Sequence, residues 1–252
     1  MEIVAIYNLK GGVGKTSTAV NLAALAAQDG KKTAIWDLDP QGASTFYLGG
    51  SPITKKLARR LVDGSRGLAD FVVDSQIENL SLIPYNFSMR QLDKFLYDSS
   101  GSRSRLARIV KPLASEYDFL FIDCPPGIGI VAENIFRTAT ALLIPTIPTP
   151  LSMNTWFQIS GFLADERKQP ELMMPFFSMA DFRKRIHKEI IESNSGDKVF
   201  SKAVIPYSVD VERMGVEQIP TVISAPKSRS SAAFHKLWKE TQSRLKKLRK
   251  NK

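Results

Sequence analysis

The sequence has few of the features that mark secreted and membrane proteins. It contains one cysteine, Cys124, which cannot form an internal disulfide and is typical of a reducing compartment. Its most apolar stretch, "ATALLIPTIPTPL", is interrupted by three prolines and is shorter than the ~20 residues of a membrane-spanning helix. The first residues, "MEIVAIYN", contain an early acid and no basic leader, so we expect no secretory signal and a cytoplasmic protein.

Acidic residues are too few to balance the bases, and the imbalance lies at one end of the chain. The 252 residues contain 35 Lys and Arg against 25 Asp and Glu, which gives a formal net charge of +10. Residues 227–252 contain ten of these bases and one acid, Glu240, whereas residues 1–226 contain 25 bases and 24 acids. A basic C-terminal segment of this kind indicates contact with nucleic acid or with an anionic membrane surface.

Short apolar runs alternate with helical patterns along the chain. This alternation predicts an α/β fold, with a mainly parallel twisted sheet and helices on both faces, in a single domain over residues 1–252. The predicted strands cover residues 3–9, 33–39, 80–85, 119–125, 141–147, 176–179 and 202–206. The predicted helices cover residues 15–28, 130–139, 153–168, 181–193 and 231–250, and residues 49–67 are predicted as a surface loop with a short helix.

The segment "NLKGGVGKTS", residues 8–17, is typical of a loop that binds phosphate between a strand and a helix. Its glycines let backbone N–H groups form a concave nest, and the start of the helix adds partial positive charge. We expect Lys15 to contact the β- and γ-phosphates and the Thr16 hydroxyl to bind Mg²⁺. The nucleotide-binding residues predicted in this loop are Lys10, Gly11, Gly12, Val13, Gly14, Lys15, Thr16 and Ser17.

Carboxylates follow two other predicted strands. Asp37 and Asp39, in "DLDPQG", are placed where an open parallel sheet positions its ligands, and residues two apart on a strand face the same way. One carboxylate of this pair suits the attacking water, and the other suits Mg²⁺ through its water shell. Asp123 ends the apolar run "FLFIDCPPG" in a Walker B arrangement, which delivers a carboxylate beside Mg²⁺. A solvated strand end or a helix cap is the simpler alternative for these acids.

The loop departs from the usual pattern at its start. Leu9 stands where the first glycine is expected, and a second lysine, Lys10, follows it. Lys15 already serves the phosphates of its own subunit. We interpret Lys10 as a residue that points out of the subunit toward a nucleotide in a partner, with a solvated side chain as the alternative.

Three motifs together resemble the ParA/MinD family of P-loop ATPases. "KGGVGKTST", "DLDPQGAST" and "FIDCPPG" are similar to the deviant Walker A, Asp-x-Asp-Pro-Gln and Walker B segments of that family. Similarity extends through "LSLIPYNFSM", "SMADFRKRIHKEI" and the C-terminal third, so it covers essentially the whole chain. The resemblance implies a P-loop fold that binds ATP and Mg²⁺ and forms an ATP-dependent homodimer.

The resemblance also implies roles for individual residues. Lys10 is expected to contact the phosphates of the other subunit and to act in catalysis together with Lys15. Asp39 is expected to orient the hydrolytic water. The residues expected to serve Mg²⁺ are Thr16, Asp123 and, in support, Asp37. Met179 and Pro206 are expected to border the adenine.

The C-terminal segment distinguishes between two branches of this family. "DPQG" resembles partition ATPases of the ParA type, whose dimers bind DNA without sequence preference and are stimulated by a ParB-like or cargo-adaptor protein. The segment has little apolar area for a membrane anchor, because only Leu245 and Leu248 are apolar after residue 238. We therefore expect non-specific double-stranded DNA as partner and association with the nucleoid. The predicted DNA contacts are Arg213, Lys236, Lys239, Lys246, Lys247 and Lys250.

Two alternatives stay open. One is a membrane-associated spatial regulator of the MinD type, with the C-terminal helix lying in a bilayer. The other is a metabolic P-loop enzyme that phosphorylates or ligates a small molecule, whose acceptor pocket the sequence does not reveal. Cys124 is interpreted as a packed residue at a strand end.

Overall fold

The structure, a computed structural model, describes residues 1–52, 67–85, 105–165 and 170–250. Within these residues eight strands form one sheet: β1 (Glu2–Ile6), β2 (Thr33–Asp37), β3 (Val73–Asp74), β4 (Leu80–Ile83), β5 (Phe119–Asp123), β6 (Ala141–Thr146), β7 (Leu172–Ala180) and β8 (Val204–Pro206). The strand order is β3-β4-β2-β5-β1-β6-β7-β8, and every neighbouring pair is parallel except β3 and β4. The predicted α/β fold with a mainly parallel sheet is confirmed.

Helices connect the strands and cover both faces of the sheet. The α-helices of the described residues are α1 (Lys15–Gln28), α2 (Ala43–Tyr47), α3 (Arg105–Val110), α4 (Ile130–Thr138), α5 (Pro150–Asp165), α6 (Arg185–Ser193), α7 (Val209–Glu212), α8 (Met214–Glu217), α9 (Thr221–Ser224) and α10 (Arg229–Lys250). Short 3₁₀ turns cover Leu68–Phe71 and Lys111–Ser115. No helix in the described part of the chain is both long and apolar enough to cross a membrane.

Several predicted boundaries are wrong. The strand predicted at residues 33–39 ends at Asp37, so Asp39 lies in the turn beyond it. The strand predicted at residues 176–179 is the last part of β7, which begins at Leu172. The helix predicted from residue 181 begins at Arg185, and β3 was not predicted. The prediction for residues 49–67 falls largely outside the described residues.

Two apolar cores lie on opposite faces of the sheet. One contains α4 and α5 side chains packed on alternate residues of the strands, together with the fully buried Cys124, as predicted. The other contains α1, α9 and α10, with the buried residues Phe234, Leu237 and Trp238 of α10. Burial of both faces explains why the central strands are continuously apolar and do not alternate.

The loops that follow β1 and β5 lie at the same edge of the sheet, where the carboxyl ends of the parallel strands meet. α1 leads from β1 past β5 to β2, and α4 leads from β5 past β1 to β6. The two connections therefore diverge on opposite faces, which opens a crevice at the carboxyl ends of β1 and β5. Open parallel sheets bind their ligands at such a point.

Candidate functional site

The phosphate loop links β1 directly to α1. Gly12 and Gly14 adopt left-handed backbone angles, with φ of 68° and 91°. The first backbone bond of α1 runs from the Thr18 N–H to the Gly14 carbonyl at 3.1 Å. The preceding N–H groups have no partner within the helix, and they are the donors with which a helix start binds an anion.

Lys15 is held at the base of this loop. Its side chain is buried, and its Nζ donates to the Lys10 carbonyl at 2.9 Å. Burial lowers the pKa of Lys15, while the charges of Asp123 and Asp39 oppose that shift. A pre-positioned ammonium in a poorly solvated site interacts with phosphate more strongly than one on the open surface.

Asp123 lies at the end of β5, directly opposite Asp37 at the end of β2. It is fully buried, and its Oδ2 accepts a hydrogen bond from the Ser44 hydroxyl at 2.6 Å. Its Oδ1 has no hydrogen-bond partner among the described residues. Burial and then the neighbouring Asp37 charge raise the pKa of Asp123 to about 7, and the Ser44 and Thr16 hydroxyls oppose the shift.

The two aspartates of "DLDPQG" occupy different positions, contrary to the prediction that they face the same way along a strand. Asp39 lines the crevice, and its Oδ1 accepts from the Gln41 N–H at 2.9 Å. Asp37 is buried and accepts from the Asp39 N–H at 3.2 Å and from the N–H and hydroxyl of Thr45 at 2.8 and 2.7 Å. Burial raises the pKa of Asp37 to about 6. Asp37 therefore fixes the turn that carries Asp39 and does not itself line the crevice.

The crevice is a cavity of about 600 Å³. It brings Met179 and Pro206 together with the phosphate loop, as the prediction of a nucleotide site requires. Met179 has a left-handed φ of 53° at a β-bulge where the pairing of β7 with β8 shifts. The cavity is lined by Gly11, Gly12, Gly14, Lys15, Thr16, Ser17, Asp39, Pro40, Gln41, Ala43, Tyr47, Pro126, Ser178, Met179, Ile205, Pro206, Tyr207, Ser208, Val211 and Glu212. Val13 is buried beneath the loop and does not line the cavity.

Lys10 lies at the rim and does not line the cavity. Its side chain is partly exposed, and among the described residues it makes no salt bridge. Its backbone N–H donates to the Asn8 Oδ1 at 2.9 Å, and the Asn8 Nδ2 donates to the Pro145 carbonyl at 2.8 Å. The backbone of Lys10 is thus fixed, while its partly exposed side chain does not contribute to the lining of the cavity.

The residues at the end of β5 fit a magnesium ion. Asp123 does not itself line the cavity, but it presents a buried oxygen without a donor, and Thr16, whose hydroxyl acts on Asp123, lines the cavity at the start of α1. The described residues contain no group of three or more His, Cys, Asp or Glu side chains that would enclose a metal. Mg²⁺ suits such a site, because it is usually held by one or two protein groups together with water and substrate phosphates.

The basic C-terminal segment forms the long helix α10, which packs on the body of the protein. Trp238 contacts Phe119 edge-to-face at 5.2 Å, and its Nε1 donates to the Asp29 carboxylate at 2.8 Å. The five predicted DNA contacts on this helix are all exposed, namely Lys236, Lys239, Lys246, Lys247 and Lys250. Arg213, the sixth, is paired with Glu217 at 3.0 Å at the junction of α7 and α8.

Sequence reasoning missed several residues that build the site. Asn8 holds the phosphate loop, and Ser44 holds Asp123. Both are ordinary polar residues, and their spacing from the motif residues does not mark them in the sequence. Ser178 packs against Gly14, because a Cβ on Gly14 would lie 2.6 Å from the Ser178 hydroxyl. Tyr207 and Glu212 line the cavity beyond Pro206, and the Tyr207 hydroxyl donates to Glu212. Only their position after β8 would have suggested them.

Comparison with known sequences identifies the family. A family model described as an AAA domain matches residues 1–172. The sporulation initiation inhibitor protein Soj of Bacillus subtilis is 30% identical over 248 residues, which cover 95% of this chain and 97% of that protein. The chromosome partitioning protein ParA of Myxococcus xanthus is 28% identical over 251 residues, which cover 96% and 88%.

Solved structures have the same fold. The ATP complex of an McdA variant from Cyanothece superposes with a TM-score of 0.81 at 23% identity and covers 96% of each chain. The septum site-determining protein MinD of Pyrococcus horikoshii, complexed with Mg-ADP, gives 0.75 at 23% identity and covers 95% of each chain. With the sequence matches, these results show that the chain belongs to the ParA/MinD family of P-loop ATPases, whose members act in partition or positioning.

Proposed function

We propose that the protein is an ATP-dependent DNA-binding ATPase that positions or segregates a cargo, such as a plasmid, a chromosome origin or a protein assembly. ATP and Mg²⁺ bind in the cavity, two protomers join through Lys10, and the dimer binds double-stranded DNA without sequence preference. A ParB-like or cargo-adaptor protein then stimulates hydrolysis and releases the dimer. In a cell this cycle places the protein on the nucleoid.

The arrangement of the phosphate loop supports the nucleotide-dependent part of this cycle. Lys15 and the glycine N–H groups face the triphosphate, Asp39 orients the attacking water, and Thr16 and Asp123 hold Mg²⁺. When bound, Mg²⁺ neutralises charge that develops on the phosphates. Asp37 contributes by fixing the turn that carries Asp39. Met179 and Pro206 border the base.

Lys10 links nucleotide binding to dimerisation. Its carbonyl accepts from Lys15 inside the protomer, while its side chain lies outside the cavity of that protomer. An ammonium supplied by a second protomer stabilises charge on the transferred phosphoryl group in the manner of an arginine finger. Lys15→Ala should abolish nucleotide binding, whereas Lys10→Ala should keep nucleotide binding and lose the dimer and stimulated hydrolysis.

The docked apolar face of α10 is the observation that favours DNA over a membrane. Phe234, Leu237, Trp238 and Leu245 are buried in the core, and burial of four such side chains contributes roughly 6–12 kcal/mol. A helix that lay in a bilayer would have to give up these contacts. The lysines remain on the outside, and their charge suits phosphate contacts that need no base recognition.

The test is co-sedimentation with DNA and, separately, with anionic phospholipid vesicles, in the presence of ATP and Mg²⁺ at several salt concentrations. The logarithm of the DNA binding constant should fall by about 0.9 per phosphate contact for each tenfold rise in salt. Replacing Lys246, Lys247 and Lys250 with Ala removes up to six contacts from a dimer. The slope should therefore become shallower by up to about 5.

A control matched in charge replaces three exposed cations at the start of another helix, Lys184, Arg185 and Lys188, with Ala. This variant should keep the salt dependence of the unmodified protein. Binding to vesicles but not to DNA would refute the proposed function and favour the MinD-type alternative. ATP turnover that required a small acceptor molecule and ignored DNA would favour the metabolic alternative.

A further inference from the structure

Tyr7 is a buried residue that the proposed cycle does not use. It follows β1 directly, and only 1% of its surface is exposed. Its ring packs edge-to-face on Phe136 of α4, with 4.7 Å between the ring centroids. Its hydroxyl donates to the Gly127 carbonyl at 3.1 Å. Burial raises the pKa of Tyr7 above its ordinary value, so the hydroxyl keeps the proton that it donates.

The carbonyl that Tyr7 holds belongs to the loop of residues 124–129, which leads from β5 to α4. Residues 126–129 of this loop are exposed, and Pro126 lines the cavity. Gly127 makes the turn with a left-handed φ of 93°. An exposed loop is held less by packing than by its hydrogen bonds, so these bonds decide where the loop lies.

Three hydrogen bonds join this loop to β1 and to the start of the phosphate loop. The Cys124 N–H donates to the Ile6 carbonyl at 3.3 Å, and the Gly127 N–H donates to the Leu9 carbonyl at 3.2 Å. Both of these bonds are made by backbone groups, whereas the third depends on the side-chain hydroxyl of Tyr7. Gly127 is thus bonded through its N–H and through its carbonyl, which makes it the point at which the loop is fixed.

The segment between Asp123 and Gly127 is stiff. The rings of Pro125 and Pro126 fix the φ of these residues, and a residue that precedes a proline is restricted as well. Cys124 and Pro125 both precede a proline. A displacement of Gly127 is therefore passed along the segment to Pro126 in the cavity wall and to the end of β5, where Asp123 lies.

We propose that Tyr7 is a positioning residue for ATP hydrolysis. Its hydroxyl holds Gly127, and the two prolines carry that position to the cavity wall and to Asp123. The inference rests on the proposed role of Asp123 beside Mg²⁺, and it adds a residue that does not itself line the cavity. If the loop moved away, the buried hydroxyl would lose its acceptor where water has little access, and this penalty keeps the loop in place.

Tyr7→Phe removes the hydroxyl and keeps the packed ring. The Gly127 carbonyl, on an exposed residue, would then turn toward water, and the bond from the Gly127 N–H to the Leu9 carbonyl would weaken. Hydrogen exchange of the Gly127 amide should therefore become about tenfold faster in the nucleotide-free protein. The rate of ATP hydrolysis should fall about tenfold, because small displacements of positioning groups are costly to catalysis. Affinity for ADP without Mg²⁺ should be unchanged, because it depends on Lys15 and the N–H groups of the phosphate loop.

The experiment measures amide exchange of the nucleotide-free full chain by NMR, and single-turnover hydrolysis with saturating Mg-ATP. The control is Thr33→Val at the amino end of β2, away from the cavity, which also removes a hydroxyl that donates to a carbonyl, that of Lys31 at 3.0 Å. Gly127→Ala moves the loop in a second way, because its Cβ would meet no atom within 4 Å but its φ of 93° is strained for alanine. It should share the loss of turnover although the Tyr7 hydroxyl is intact.

The results separate this inference from the proposed function. Faster exchange confined to residues 127–129 and slower turnover in Tyr7→Phe, with slower turnover in Gly127→Ala and normal values in Thr33→Val, support the inference. Faster exchange with normal turnover, or normal exchange at Gly127, would overturn it. Faster exchange spread evenly over β1 and β5 would indicate general destabilisation and would also overturn it. An unmodified protein that hydrolyses ATP but binds no DNA would refute the proposed function and leave this inference standing. If the unmodified protein does not hydrolyse ATP, both fail.

Discussion

Replacement of Gly14 tests how tightly the phosphate loop is built. Gly14→Ala introduces two separate penalties, because φ is 91° and the new Cβ would lie 2.6 Å from the Ser178 hydroxyl. A non-glycine residue in the left-handed region costs about 1–2 kcal/mol. Rotation of the buried Ser178 hydroxyl out of its rotamer costs about 0.5–1.5 kcal/mol more. The expected loss in the free energy of unfolding is therefore about 1.5–3.5 kcal/mol.

Two further variants separate the penalties. Gly12 has a φ of 68°, and no atom lies within 4 Å of the position that a Cβ would occupy there, so Gly12→Ala should lose only the backbone part, about 1–2 kcal/mol. Ser178→Ala removes the clashing oxygen, so the double variant Gly14→Ala/Ser178→Ala should recover about 1 kcal/mol of the loss. Urea unfolding of nucleotide-free protein, followed by circular dichroism, measures each value. A Gly14→Ala variant no less stable than Gly12→Ala, or a double variant without recovery, would refute this account.

Two other predictions concern Asp123. In the folded, nucleotide-free protein the pKa of Asp123 is raised to about 7, whereas in the unfolded chain this carboxyl releases its proton near pH 4. The folded state therefore binds the proton more tightly, and the free energy of unfolding should fall as pH rises from about 4 to 7. Thermal unfolding across this range should show a weaker pH dependence in Asp123→Asn, and an unchanged dependence would contradict the assignment. Ser44→Ala removes the hydroxyl that donates to Asp123 at 2.6 Å, and loss of a hydrogen bond to a charged group should weaken Mg-ATP binding about tenfold. Calorimetric titration at about pH 7.5, above the pKa of Asp123, measures this change, and an unaltered affinity would show that Ser44 does not support the site.

The sequence predicted those elements whose ends are marked by local chemistry. Helix α1 begins at Lys15 and ends at Gln28 as predicted, because left-handed glycines at positions 14 and 30 flank it. The strands that carry Asp37 and Asp123 were also identified, since their apolar runs end at charged residues beside turns. Local signals of this kind need no knowledge of the tertiary structure.

Boundaries set by tertiary contacts were not predictable in this way. The predicted strand began only at residue 176, whereas Pro175, a residue type uncommon inside strands, lies within β7 opposite Ile144 of β6, and its carbonyl accepts from the Ser201 N–H. Helix α6 starts four residues late, because Asp181 caps the preceding turn. Its carboxylate pairs with Arg183 at 2.9 Å, and its N–H donates to the buried His187. These contacts join residues whose pairing no periodicity reveals.

The residues of the site also divide into those that local sequence marks and those that only tertiary contacts bring into place. Glycine and lysine spacing identified the phosphate loop, because backbone conformation and charge act locally there. Ser44 reaches Asp123 across 79 positions, and Asn8 reaches Pro145 across 137. These side chains become functional only when the sheet brings the carboxyl ends of its strands to one edge.

The two lysines of the phosphate loop are coupled through one peptide group. The Lys10 carbonyl accepts from Lys15 and so holds that ammonium at the base of the cavity, while the partly exposed Lys10 side chain does not line the cavity. A substitution of the Lys10 side chain keeps that carbonyl, so it should spare the inner lysine and remove only the outer one. A displacement of the Lys10 backbone, by contrast, would disturb both. Asn8 holds that backbone through its Oδ1 and is itself held by the bond from its Nδ2 to the Pro145 carbonyl, so a buried asparagine that does not line the cavity still fixes the position of both lysines.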